Sequence, residues 1–199
     1  MTLSEETLIE EILQFWFGTP HSEAAQYAQR RKLWFGKSPE TDQEIAQRFL
    51  TAYEQAAAGA FDEWQRSPSP CLALLLLLDQ FPRNLFRGTP KAFATDTKAL
   101  EVALGAIATQ FDQALAPIQR IFIYLPLEHS ENLAIQNQSV ALFRQLAIAD
   151  PQLQDTLDFA IRHQQVIEQF GRFPHRNAIL NRPTPPAEAE FLQQPGSSF

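Results

Sequence analysis

Residues 69–84 read SPCLALLLLLDQFPRN, and this stretch decides the fold. Every residue from Cys71 to Leu78 is apolar, so the segment has no polar side and predicts a helix that other helices enclose. Ser69 and Pro70 fit the N-cap and the first position of that helix. The apolar run would span only about 12 Å, well short of the ~30 Å core of a bilayer. We therefore expect a central, fully apolar helix at about residues 70–80 of a soluble protein.

The composition also predicts an all-α protein. Valine, which β-sheets favour, occurs only at positions 102, 140 and 166 of the 199 residues. The chain has 7 Gly, and no two lie closer than 17 residues apart, so neither a dinucleotide fingerprint nor a phosphate-binding glycine loop can be assembled. A single Cys excludes an internal disulfide. The net charge of −7 argues against a nucleic-acid partner.

Length and periodicity predict one domain over residues 1–199, with a Pro-rich C-terminal tail from about residue 182. The N-terminus is acidic where a secretion signal would be basic, so we expect no membrane association and a cytoplasmic location. Apolar periodicity and caps predict about eight to ten helices. The clearest lie at about residues 4–17, from a Thr41–Glu44 capping box to Gly59, from Asp96 onward, from Pro117 to Pro126, 128–148, and 151–170 before a Gly171 cap.

Two histidines fall on apolar helix stripes. His163 has Phe159, Val166 and Phe170 at helical spacing, and His129 shares its predicted stripe with Leu133, Val140 and Phe143. A core histidine that bonds a backbone carbonyl is one explanation, and a site is the other. Glu128 and Glu131 flank His129 at a predicted helix start. They could cap that helix, or form with the histidine a cluster that binds a cation, orients an arginine or moves a proton.

Basic residues gather in two segments without acids. Asp79 follows the apolar run and needs a cation, which Arg83 or Arg87 could supply as a buried pair. The segments FPRN (81–84) and FPHRN (173–177) both place arginines after Phe-Pro. One explanation is that the two segments and their neighbours form opposite walls of one pocket that binds an anion. The positive side of such a pocket would consist of Arg83, Arg87, Arg172, His175 and Arg176, and its apolar surface of Phe81 and Phe173. Alternatively, each arginine caps a neighbouring helix end.

Three stretches carry a family resemblance: LLLLLDQFPRNLFRGTPKAFATD (74–96), YLPLEHSENL (124–133) and FGRFPHRNAIL (170–180). Together with ILQFWFG (12–18) and the closing PGSSF, they resemble an uncharacterised, mainly bacterial domain-of-unknown-function family. That resemblance implies a tetratricopeptide-like helical array and brings no catalytic residue, cofactor or substrate. The chain departs from the family at Asn181, where a glycine would be expected before Arg182.

Two hypotheses of function remain. The first is a pocket for a small anionic ligand, in one form an acid–base enzyme, with His129, Glu128 and His163 as candidate catalytic residues. Its candidate ligand-binding residues are Asp79, Arg83, Arg87, Glu131, Arg172, His175 and Arg176. The second is a non-catalytic helical module that binds a peptide or protein partner. A purely structural polar network is a further explanation for the inward polar residues. The spacing matches no standard zinc or di-iron pattern, and it indicates neither a cofactor nor an oligomeric state.

Overall fold

The computed structural model of the chain describes residues 4–19 and 27–197, which form helices and turns without a β-strand. The helices are α1 Glu5–Phe17, α2 Tyr27–Phe35, α3 Pro39–Ala57, α4 Pro68–Leu75, α5 Phe81–Leu85, α6 Asp96–Ala108, α7 Pro117–Glu128, α8 Leu133–Ala149, α9 Gln154–Phe170 and α10 Pro186–Phe191. The all-α prediction is confirmed. Pro20, near which the first helix is predicted to stop, and the last two residues of PGSSF lie outside the described residues.

The apolar segment forms one buried helical column of three parts. α4 leads into a π-helical turn at Leu76–Gln80, which continues directly into α5. All residues from 71 to 82 are buried. α4 begins at Pro68, two residues before the predicted start, because Ser67 is its N-cap. Asp79 therefore lies inside a continuous helical column, and the prediction that it follows a helix end is wrong.

The π-turn has a local cause in Pro82. Proline has no N–H, so the carbonyl of Leu78 loses its usual helical donor. The hydroxyl of Thr95 donates to that carbonyl at 2.6 Å, and the N–H of Phe81 bonds Leu76 in the wider π pattern. The column thus continues through a proline that was expected to follow a helix end. The wider turn also sets the positions of Asp79 and Arg83 relative to the rest of the fold.

An aromatic cluster packs against the column. Phe81 stacks on Phe49 with ring centroids 5.0 Å apart, and Trp16 contacts Phe81 at 5.4 Å and Phe122 at 5.6 Å. All four side chains are at most 1% exposed. Burying each ring stabilises the fold by about 1.5–3 kcal/mol relative to leaving it in water. Phe81 is therefore a core residue, and its predicted place on a pocket wall is wrong.

The α7–α8 connection differs from the prediction and decides the position of His129. α7 continues through Pro126 to Glu128, and His129 is its C-cap. α8 starts only at Leu133, because the side chain of Asn132 accepts the N–H groups of Ala134 and Ile135. The predicted helix over 128–148, with His129 on its stripe and the glutamates at its start, is thus wrong at its N-terminus. His129 and Glu131 belong to a turn.

Other helix ends follow ordinary capping. α3 begins at Pro39, because Ser38 accepts the N–H of Thr41, so the predicted Thr41–Glu44 capping box is not its start. α9 ends at Gly171, which adopts the predicted left-handed cap with φ 67°. α7, α8 and α9 pack in sequence beside one another. None of the described helices has the length and apolar character needed to cross a bilayer.

Candidate functional site

Asp79 lies at the centre of a group of polar side chains around the column. Its Oδ1 is 2.7 Å from Nδ1 of His129 and accepts a hydrogen bond from Nη2 of Arg83 at 3.1 Å. Burial alone would raise the pKa of Asp79, but the charge of His129, which is protonated at the low pH where an aspartate titrates, and the charge of Arg83 outweigh burial and the pKa falls. An ionised Asp79 accepts the Nδ1 proton of His129. This leaves Nε2 as the basic nitrogen of the ring.

Asp96 joins two arginines from distant parts of the sequence. Its Oδ1 accepts from Arg83 at 3.0 Å and its Oδ2 accepts from Nη1 of Arg176 at 3.3 Å. The ring of Phe93 lies against both guanidinium groups, with centroid distances of 5.6 Å to Arg83 and 4.7 Å to Arg176. Arg176 also donates to the backbone carbonyl of His129 at 3.1 Å. The two predicted arginine segments therefore meet through Asp96, which places both guanidinium groups beside the histidine.

Glu128 and His163 form a second buried acid–imidazole pair. Nδ1 of His163 lies 2.9 Å from the carbonyl oxygen of Phe159 and 3.0 Å from Oε1 of Glu128. Because a carbonyl oxygen only accepts, Nδ1 carries the proton. Burial raises the pKa of Glu128 to about 8, and the charge of Asp79 adds to the effect. At neutral pH the carboxyl of Glu128 is therefore mostly protonated.

The three imidazoles of the group are held neutral. Burial, followed by the charge of Arg83, lowers the pKa of His129 against the pull of Asp79. Burial lowers the pKa of His163 well below its ordinary value. Burial and then Arg176 lower the pKa of His175 to about 4. A neutral base and a protonated acid thus lie side by side at residues 128 and 129, an arrangement typical of acid–base sites.

These groups border a cavity of about 650 Å³. Seven of the ten predicted site residues line it: Arg83, Arg87, Glu128, His129, His163, His175 and Arg176. Most of the remaining lining comes from α2, the 92–93 turn, α7, α8 and α9. A second cavity of about 410 Å³ shares Phe93, His129 and Arg176 with the first. These three residues therefore lie between the two cavities and border both.

Three predicted residues do not line the larger cavity. Asp79 lies behind His129 and Arg83 and fixes both. Glu131 borders the smaller cavity and holds the segment after α9, accepting from Arg182 at 2.7 and 3.1 Å and from the N–H of Phe173 at 2.8 Å. Its pKa falls because these hydrogen bonds outweigh burial.

Arg172, the third of these residues, makes a two-bond pair with Glu188 at 2.9 and 3.0 Å and lies away from the larger cavity, so it does not form the wall predicted for it. Arg87 does line the cavity, but its partner is Asp42 in α3 at 2.8 Å. Of the two arginines predicted as partners of Asp79, Arg83 therefore pairs with it and Arg87 does not. Phe173 is fully buried and contributes through Arg176, whose guanidinium lies 4.6 Å from its ring centroid.

Several cavity residues have no clear signal in the sequence. Asp96 reads as an ordinary helix start, and α2, with Trp34, Phe35 and the following Lys37, has almost no apolar stripe. Phe159 reads as core, yet it is 39% exposed and lines the cavity. Phe93 and Asp96 could have been found only through their place in the motif over 74–96. Within residues 4–19 and 27–197, no three His, Cys, Asp or Glu side chains are arranged to hold a metal ion.

Comparisons with known proteins identify the family without a function. A profile described as a bacterial protein of unknown function (DUF924) matches residues 12–196. A solved structure, a protein of unknown function from Agrobacterium tumefaciens, is 38% identical, with a TM-score of 0.84 over 96% of this chain and 99% of that chain. No curated protein matches. The chain belongs to the DUF924 family of bacterial proteins, whose function is unknown.

Proposed function

We propose that the larger cavity binds a small anion and that Glu128 and His129 exchange protons with it, as an acid–base enzyme. One observation carries this proposal: Arg83, Arg176, Glu128 and His129 line a single space. Positive charge to hold an anion and groups suited to move protons are therefore within reach of one ligand.

The charges at the cavity surface favour an anion. Lys37, Arg83, Arg87 and Arg176 line it, while Glu128 supplies its only carboxyl among the lining residues. The carboxylates that hold the two central arginines, Asp79 and Asp96, are not part of this lining. In the described residues Arg83 donates only through Nη2, which leaves its other N–H groups without a protein acceptor. A planar anion such as a carboxylate or phosphate matches guanidinium donors.

The proton-transfer roles follow from the tautomer of His129 and the protonation of Glu128. Nε2 of His129 accepts a proton from the bound molecule, while Asp79 keeps Nδ1 protonated and the ring oriented. Glu128 donates its carboxyl proton to another atom of the same molecule, and His163 lies against the resulting carboxylate. One proton enters the protein and one leaves it, so the net charge of the pair is unchanged.

Anion binding is tested by thermal unfolding in acetate, phosphate or benzoate against chloride at equal ionic strength. We expect the native protein and Arg172→Gln to gain stability in at least one anion, and Arg83→Gln to gain none. Arg172 is the matched control, because it is also a carboxylate-paired arginine but lies outside the cavity. If Arg83→Gln does not fold, Arg87→Gln takes its place in the test, because Arg87 also lines the cavity and its side chain is exposed.

Equal gains in all variants, or no gain in any anion, would overturn the proposal. The latter result would leave the peptide-binding helical module as the better hypothesis. The tetratricopeptide-like arrangement on which that module rests is likewise a proposal, supported by the packing of the successive helices α7, α8 and α9 against one another.

A further inference from the structure

We propose that the ligand is an amphipathic anion, a carboxylate or phosphate monoester whose apolar body is at least the size of one aromatic ring. This inference rests on the proposed function and specifies its ligand. It follows from the size of the cavity, from the aromatic lining that α2 and α9 contribute in addition to the arginines, and from two half-exposed aromatic residues that border it.

The size of the cavity excludes a bare anion as its natural occupant. Acetate and inorganic phosphate each displace only a few times the ~30 Å³ of a water molecule. The cavity holds about 650 Å³, within the ~300–1,000 Å³ typical of sites for ligands of cofactor or drug size. A ligand that reaches the arginines and fills this space therefore has a substantial body beyond its charged group.

Most of the aromatic lining comes from elements other than those that carry the two central arginines. The two central arginines come from α5 and from the segment after α9, and Asp96 holds them together at one side. α2 contributes Trp34 and Phe35, and α9 contributes Phe159. Trp34 is fixed in place, because its indole N–H donates to the carbonyl of Trp16 at 2.8 Å. The head of an amphipathic anion would lie on the arginines and its body on these rings.

The exposed rings are the second observation. Phe35 is 47% exposed and Phe159 is 39% exposed, and both line the cavity. Arg31 and Arg162 lie 5.9 and 5.4 Å from the ring centroid of Phe159, so the aromatic side also carries positive charge at its border. Exposing an apolar ring to water is unfavourable. A ligand that covers these two rings removes their apolar surface from water, and this contributes favourable free energy to binding.

The test uses 2-naphthoate as the probe, with acetate as the head alone and 2-naphthylmethanol as the body alone. Binding is followed by calorimetry and by tryptophan fluorescence, to which Trp34 in the cavity lining contributes. We expect naphthoate to bind at least tenfold more tightly than either partial probe, and 2-naphthyl phosphate to show which head group is preferred. Phe35→Ala and Phe159→Ala should each weaken naphthoate binding about three- to tenfold and leave acetate unchanged.

Ile148→Ala is the matched control, because Ile148 is also a large exposed apolar residue, at 77%, and does not line the cavity. It should leave all affinities unchanged. If naphthoate binds no more tightly than acetate while Arg83→Gln abolishes both, the amphipathic ligand is wrong and the anion site stands. If naphthylmethanol binds as tightly as naphthoate, or no probe binds, the proposed anion site itself fails.

Discussion

Glu128 is a carboxylic acid that its surroundings keep protonated. Its side chain is almost fully buried, the charge of Asp79 disfavours its ionisation, and its direct partner is the neutral ring of His163. A carboxyl in such surroundings costs stability whenever it ionises, because no arginine or lysine of the described residues forms an ion pair with it. The same property makes it a proton donor near neutral pH. Its role in stability and its proposed role in chemistry therefore have one physical cause.

Glu128→Gln should stabilise the protein increasingly as pH rises. Burial raises the pKa of Glu128 from 4.5 to about 8, so the folded protein keeps a proton that the unfolded chain releases. The stability of the native protein is thus lowered progressively as pH rises from 4.5 towards 8, whereas Gln stays neutral. We expect no gain at pH 4 and about 2–4 kcal/mol at pH 8, measured by urea unfolding. A gain independent of pH would show that burial does not hold this proton.

Single residues were predicted well where helical spacing alone places them inward, as for His163. Pairing partners were predicted less well, because they come from remote segments. Arg87 bonds Asp42 across 45 positions, and Arg176 bonds Asp96 across 80. Nothing in the local sequence distinguishes those carboxylates from surface ones. The arginines were therefore identified, but not the acids that orient them.

At the scale of elements, two irregularities position the site. The π-turn of the central column places Asp79 and Arg83 on the side that faces His129, and the end of α7 at Glu128 leaves His129 in a turn. If the helices were regular at these two places, the side chains of Asp79, Arg83 and His129 would lie elsewhere. The sequence signals, Pro82 and Pro126, were visible but were interpreted as helix ends. A proline within a helix is tolerated when another donor satisfies the carbonyl it leaves free, as Thr95 does here.

Among the described helices, α2 is the longest that the sequence does not predict. Its sequence, YAQRRKLWF, buries only Trp34, so no stripe of apolar residues marks it. It is held instead by specific bonds: Tyr27 and Arg31 both reach Asp155 in α9, at 2.7 Å each. Such contacts across the fold leave no periodic pattern. The strongly periodic helices α1, α3 and α9 were predicted with ends correct to within a few residues.

A matched pair of glycines tests the helix ends. Gly171 terminates α9 at φ 67° and Gly105 lies inside α6, and an added Cβ would meet nothing within 4 Å at either. Gly171→Ala should therefore cost about 1 kcal/mol through backbone strain alone, and Gly105→Ala should stabilise by about 0.5–1 kcal/mol through helix propensity. Chemical denaturation of both variants measures the difference. Equal effects of the same sign would contradict the capping role of Gly171.

At the scale of the whole molecule, the site depends on how the C-terminal segment returns to the core. Residues 171–182 carry His175 and Arg176 into the cavity, and Glu131 fastens them through Arg182 and the N–H of Phe173. Glu188 binds the same segment through Arg172 and Asn177. The sequence predicts a Pro-rich tail only from about residue 182, and contacts over such distances cannot be read from composition. The segment before this tail completes the site.

Glu131→Ala should loosen this segment without unfolding the core. We expect a loss of about 1–3 kcal/mol, because the N–H of Phe173 and the guanidinium of Arg182 lose their acceptor. Hydrogen exchange should become faster over residues 171–182 and remain unchanged in α4. Glu44→Ala, which breaks the exposed pair with Arg48, is the control and should cost no more than about 0.5 kcal/mol. Unchanged exchange after residue 171 would show that Glu131 does not fasten it.

The most direct test of an anion site with acid–base chemistry is the nitrogen NMR spectrum of ¹⁵N-histidine-labelled protein at pH 7, recorded during a titration with benzoate. We predict that His129 is neutral with its proton on Nδ1, and that its Nε2 resonance shifts saturably as the anion binds beside Arg83 and Arg176. In Arg83→Gln the shift should be lost, and in Arg172→Gln it should remain. A His129 protonated on Nε2, or one that does not respond to anions, would contradict the proposed function.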